Sequence, residues 1–122
     1  MAQITKNFTT EEIACKCGCG LSDIDLRFMD KVQQLRDAYG KPMRIASGVR
    51  CPDHNKKVGG TKNSRHMPTP ERKAMALDVL IGSTADRHRF LRMASMVFGG
   101  IGVHNAYIHI DGREDEEVCW VY

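Results

Sequence analysis

Two polar residues sit inside apolar stretches that otherwise read as β-strands: Asp78 in AMALDVLI and His109 in AYIHID. A carboxylate buried in such a strand is costly unless it is paired or bound to a metal, and His109 is in the same predicament. Residues two apart on a strand share a face, so Tyr107, His109 and Asp111 point together. His66 follows a Gly- and Ser-rich stretch, in a loop that could fold over that face. One Asp and two His, with water as the fourth ligand, make an open catalytic zinc site. These donors suit zinc better than calcium or magnesium, which prefer oxygen shells. Pattern alone leaves the blander reading open: an exposed loop histidine and a hydrogen-bonded strand aspartate.

The second concentration of reactive side chains is CKCGC, with Cys15, Cys17 and Cys19. It is dense enough to suggest a metal. Zinc fingers, however, place CxxC pairs with a second pair downstream, and here Cys51 and Cys119 lie far along the chain. A glycine-relieved tight turn with half-buried thiols is the alternative. An odd cysteine count argues against a full disulfide framework.

A longer stretch adds order to these candidates. SGVRCPDHNKKVGGTKNSRH, residues 47–66, resembles the signature of the zinc D-Ala-D-Ala carboxypeptidase family, in its branch of phage endolysins and small cell-wall peptidases. Ser47-Gly48-Val49-Arg50, His54-Asn55, Val58-Gly59-Gly60 and Ser64-Arg65-His66 match in sequence, followed by Ala76-Leu77-Asp78, Gly100-Ile101-Gly102 and His109-Ile110-Asp111. FTTEEIACKCGCG near the start is similar too, so the resemblance spans nearly the whole chain. It implies His66, Asp78 and His109 as ligands of one zinc per chain. It also implies a small α+β fold shared with hedgehog domains and lysostaphin-type peptidases. The implied activity is hydrolysis of a bond in peptidoglycan stem or cross-link peptides.

Two departures stand out. Eleven residues separate His66 from Asp78, more than the family usually has. The extra stretch carries prolines and charges, and reads as an inserted surface loop at the rim of the cleft; lengthening a loop costs little. The acid that relatives often place three residues before the last histidine is replaced by Ala106. Asp111 and His104 are the leading substitutes for that base, with Glu71 behind them. Asp111 could instead hold the far nitrogen of His109. A zinc-retaining binding module without peptidase activity is the alternative that the missing acid supports. The resemblance makes Arg50 a substrate clamp, since its planar fork makes bidentate pairs with carboxylates; Ser64 could add a hydrogen bond to the substrate. Each has a plainer reading as a loop brace.

The elements that must position these groups follow from periodicity and caps. Thr9 and Glu12 form a capping box behind Phe8. Asp23 or Ser22 opens a helix carrying Phe28, Met29, Val32, Leu35 and Tyr39, stopped by Gly40 and Pro42. A strand follows at 43–47, a short helix after Pro52, and a strand over 75–81. Ser83 caps a helix with an apolar stripe at Phe90, Leu91, Ala94, Val97 and Phe98. Strands at 101–104, 107–110 and 118–122 close the chain. The pattern is α+β: a small antiparallel sheet backed by helices.

The chain has 122 residues, with 42% hydrophobic and 27% charged, so a single domain over 1–122 is expected. A net charge of +3, without a basic stripe carrying aromatics, does not favour nucleic acid. No apolar run is long enough to span a membrane. The start lacks the apolar core of a signal peptide. Synthesis in a cytoplasm is therefore expected; with the activity that the resemblance implies, the protein would act on the cell wall or periplasm after release, as a monomer.

Overall fold

The computed structural model describes residues 2–122. A short hairpin, β1 (Gln3–Thr5) and β2 (Phe8–Thr9), leads into α1 (Thr10–Ile13). The capping box is formed: Thr9 Oγ1 accepts the Glu12 N–H, and Glu12 Oε1 accepts the Thr9 N–H. The main helix, α2, runs Leu26–Tyr39. Its cap is Asp25, which accepts the Phe28 N–H at 2.9 Å, not Asp23 or Ser22. The delay has a physical cause. Ile24 is held extended in a parallel bridge to Ala74, with hydrogen bonds from the Ala74 amide to Asp23 and from the Asp25 amide to Ala74. Gly40 then takes the left-handed conformation, φ +74°, and ends the helix.

Next come β3 (Ile45–Ser47), α3 (Pro52–Lys57), β4 (Ala76–Leu80) and α4 (Thr84–Ala94), then β5 (Gly100–Val103), β6 (Tyr107–Asp111) and β7 (Val118–Val121). Five strands form one sheet in the order β3-β4-β6-β5-β7. The fold is α+β as expected. The sheet is antiparallel except at its far edge, where β7 runs parallel to β5. The connection from β6 to β7 passes over Gly99. A β-carbon there would come within 2.2 Å of the Arg113 carbonyl oxygen.

The sheet has two different faces. Leu77 and Val79 of β4, Ile108 and Ile110 of β6, and Ile101 of β5 belong to the buried hydrophobic cluster that includes residues of α2 and α4. Phe28 meets Phe98, and Tyr39 meets Phe90, edge to face at 5.5 Å. A fully buried aliphatic side chain contributes about 1.5–3 kcal/mol, so this layer carries the fold. Val97, placed in the core by periodicity, is 39% exposed, because α4 ends at Ala94 and the chain turns. The alternate residues occupy the other face: Ala76 and Asp78, Gly100 and Gly102, Tyr107, His109 and Asp111.

The inserted stretch folds on itself. Thr69 and Arg72 pair through both amides, and Arg72 Nη1 donates to the Met67 carbonyl. Pro70 sits at the turn between them. Because both ends of this turn meet, we predict that removing Thr69–Arg72 and joining Pro68 to Lys73 changes stability by only about 0.5 kcal/mol. A thermal melt checks this. Collapse of the cooperative transition would show that the turn supports the core.

Candidate metal centre

The register of the sheet places Asp78 directly opposite His109. Both lie on the face away from the helices. His66 reaches the same point from the turn after α3. The Arg50 amide donates to the His66 carbonyl at 2.8 Å, and Ser64 Oγ accepts the His66 amide at 3.2 Å. His66 Nδ1 lies 2.6 Å from the Gly48 carbonyl oxygen. A carbonyl only accepts, so Nδ1 carries the proton and Nε2 presents a lone pair. Gly48 is fixed in turn by close backbone contact with Ile13, which a β-carbon at Gly48 would forbid.

Three donor atoms converge. His109 Nδ1 is 3.0 Å from Asp78 Oδ1, His66 Nε2 is 3.2 Å from the same oxygen, and the two nitrogens are 3.2 Å apart. Ligand atoms about 2.0–2.1 Å from a tetrahedral zinc stand roughly 3.3 Å from one another. The triangle therefore has the dimensions of one face of a zinc tetrahedron. All three residues are buried, at 2–4% exposure. Burial holds the His66 pKa below its usual value, outweighing the attraction of Asp78. Burial opposes ionisation of Asp78 and His109 too, yet the two histidines keep the Asp78 carboxyl well below the usual range, and Asp111 and Asp78 push the His109 pKa up. The centre thus sets a carboxylate against one neutral imidazole and one that holds its proton, and a bound cation would take that proton's place.

Asp111 stands behind this triangle. Its Oδ2 is 2.7 Å from His109 Nε2, so His109 donates backwards and offers Nδ1 forwards. Arg113 holds the carboxylate with Nε and Nη2, both at 2.9 Å. Asp111 is fully buried, between Ala76 on β4 and Gly100 on β5. A β-carbon on Gly100 would lie 2.2 Å from both carboxylate oxygens. The second glycine, Gly102, makes room for the Trp120 ring, which leans on His109 at 4.9 Å. The Gly-Ile-Gly segment is thus a pair of recesses, one for the carboxylate behind His109 and one for the indole beside it.

A cavity of about 550 Å3 opens over the centre, lined by His66 and His109 as well as Arg50 and Ser64. Tyr107, Trp120 and Tyr122 form its aromatic wall, and Arg65, Arg113 and Glu116 supply charge. Arg50 has little freedom to act as a clamp alone. Its Nε donates to Ser47, Nη1 to Asn55 and Nη2 to Asp78 Oδ2 at 3.1 Å. Gly60 lacks the β-carbon that would collide with Asn55 in this relay.

Other expected positions differ. His104 does not line the cavity; its Nδ1 accepts the Ala106 amide, and its ring stacks on Tyr107 at 4.4 Å. Glu71 is exposed in the self-closed turn. That turn does not line the cavity either, which corrects its expected place at the rim. Trp120 and Tyr122, within the strand expected at 118–122, belong to the cavity wall. The signal was Gly102, opposite both His109 and Trp120 in the sheet.

Zinc measurements separate these roles. His109→Ala is expected to lose about one zinc per chain. Asp111→Asn and Arg50→Lys should weaken zinc at this centre by roughly 10–100-fold, because each removes a hydrogen bond that orients a ligand. Competition with a chromogenic chelator reads this. Unchanged zinc affinity with lost turnover would instead make Asp111 a proton acceptor and Arg50 a substrate clamp.

No curated protein matches the chain. The family model described as Peptidase M15 matches residues 6–111, which contain all three converging ligands and the carboxylate behind them. The chain belongs to the Peptidase M15 family.

Proposed function

We propose that the cleft hydrolyses a bond in peptidoglycan stem or cross-link peptides, using one zinc held by His66, Asp78 and His109. Membership of a peptidase family makes the chain a hydrolase of peptide bonds; the wall substrate is the added step. The supporting observation is the cavity over the ligands. Arg50, Arg65, Arg113 and Glu116 line its walls, and each arginine already has an acidic partner: Asp78 for Arg50, Asp115 for Arg65, and Asp111 with Glu116 for Arg113. Arg65, whose partner Asp115 is exposed, is the arginine freest to meet a carboxylate of a short peptide, and the aromatic wall suits the peptide's aliphatic parts.

The metal, when bound, would polarise the scissile carbonyl and make water a better nucleophile. The chain's own groups prepare the rest. Asp111 and Arg50 are positioning residues, holding His109 and Asp78. Ser64 keeps a hydroxyl hydrogen to donate after accepting the His66 amide. Tyr107 is a second donor: burial, reinforced by Tyr122 and the charge of Asp78, pushes its pKa up to about 12. It therefore stays protonated near neutrality and can hydrogen-bond oxygen that gains charge in the transition state.

No helix among the described residues is long and apolar enough to cross a membrane. On our reading the protein acts as a monomer on the wall, endolysin-like, after release from the cytoplasm.

Digestion of purified muropeptides by the zinc-loaded protein, followed by mass analysis, should show loss of a terminal residue or separation of a cross-link. Tyr107→Phe should keep zinc and lower kcat by about 10²–10³, the usual cost of one oxyanion donor. His104→Ala, which removes no cavity-lining group, should change kcat by less than about tenfold, below the usual range for loss of a general base. Stoichiometric zinc without turnover of any wall peptide would favour the binding-module reading.

A further inference from the structure

We propose that Cys15, Cys17, Cys19 and Cys51 hold a second, structural zinc ion through four thiolates. The fold brings Cys51, thirty-four residues beyond Cys17, into the CKCGC loop. Cys119 stays outside the group. This supplies the fourth thiol that sequence spacing lacked, and it raises the expected metal content from one zinc per chain to two.

The geometry is that of a thiolate tetrahedron. Cys15 Sγ is 3.4 Å from Cys17 Sγ, and Cys17 Sγ is 3.7 Å from Cys51 Sγ. The four sulfurs all lie within 4.8 Å of one another. With zinc–sulfur bonds of about 2.3 Å, the edge of a tetrahedron is roughly 3.8 Å. A disulfide would need sulfurs about 2.05 Å apart, and all five cysteines are free.

The backbone around the sulfurs is arranged for the same purpose. The Cys15 amide donates to the Leu21 carbonyl at 2.8 Å and closes the loop; the Gly18 amide donates to the Cys15 carbonyl within it. Gly18 and Gly20, each following a cysteine, have φ of +87° and +84°. Only glycine adopts that conformation freely, so the loop can turn between successive thiols. Two amides point at sulfur: Cys51 N–H at Cys15 Sγ and His54 N–H at Cys51 Sγ, both 3.4 Å. The second makes Cys51 the cap of α3. Zinc entry displaces the thiol protons to solvent and needs no oxidant.

This ion would tie down the segment that positions the peptidase centre. Cys51 directly follows Arg50, whose side chain holds Asp78 and whose amide holds the His66 carbonyl. Two residues earlier, the Gly48 carbonyl fixes the His66 ring. At the other side of the cluster, Cys15 follows α1, where the Ile13 carbonyl accepts the Val49 amide at 2.8 Å. The thiolate site thus joins the chain's N-terminal part to the loop behind two ligands, without lining the cavity.

Elemental analysis of reduced, purified protein tests the proposal. Wild type should carry two zinc ions per chain. Cys17→Ser and Cys51→Ser should each carry one at saturating zinc, His109→Ala should also carry one, and Cys119→Ser should keep two. After cobalt substitution, sulfur-to-metal charge-transfer bands should persist in His109→Ala and vanish in Cys51→Ser. If a cysteine variant does not fold, chelator titration of wild type replaces it: four thiols should become reactive as one of two zinc ions leaves. The proposal is overturned if the cysteine variants keep the wild-type zinc content, if all thiols react before any metal is removed, or if intact mass shows an oxidised pair in place of the second ion. Failure at the histidine centre would read differently, as loss of the zinc that His109→Ala removes.

Discussion

The constraint on which the rest depends is the approach of three donor atoms to within 3.0–3.2 Å of one another in a buried place. Left alone, a carboxylate and two imidazoles buried at that spacing carry a large desolvation cost. Much of the polar architecture exists to hold them in spite of it. Asp111 and Arg113 stand behind one histidine, the Gly48 carbonyl behind the other, and Arg50 beside the aspartate. Each of these groups fixes the direction of a ligand atom as well as its position. The glycines at 48, 60, 100 and 102 give way where a side chain or backbone must come close.

The division of labour between the sheet faces makes this affordable in free energy. The helix-facing residues of β4, β6 and β5 are aliphatic and buried in one cluster with α2 and α4. Their burial offsets the cost of the polar face a few ångströms away. The site is therefore built on strands, whose positions are set by a core that contains none of its chemistry. One ligand, His66, is delivered by a turn and fixed there by the Gly48 carbonyl; the insertion after it closes on itself rather than pressing on the sheet.

Much of this was legible in the residues. Asp78 and His109 stood out because a strand's alternation made them expensive without a partner. The capping box at Thr9 and the Ser83 cap were local signals that the fold kept, whereas the cap at Asp23 or Ser22 was one that a long-range contact overrode. What was hidden depends on contacts distant in sequence. Helix α2 starts late because Ala74 captures Ile24. The chain crosses closely over Gly99 on its way to β7, which then runs parallel to β5. Arg50 reads as a clamp from its chemistry, and its three commitments emerge only when Ser47, Asn55 and Asp78 meet. Cys51 looked remote because distance along the chain says nothing about where α3 begins. Asp111 was ambiguous between proton transfer and support, since sharing a strand face with His109 does not say which side of the ring it occupies.

The opposition of Asp78 and His109 across β4 and β6 also bears on how the sheet finds its pairing. Side chains on a strand alternate strictly, so sliding one strand by a single residue turns its whole set over. A slip of β6 would send His109 and Asp111 under the helices and turn Ile108 and Ile110 outward. The mispaired sheet would then bury unmatched polar groups in an oily layer and expose aliphatic ones. Correct pairing is the arrangement in which hydrophobic contact and ligand convergence agree. The chemistry of the site thus doubles as error-checking for the assembly of the strands that carry it.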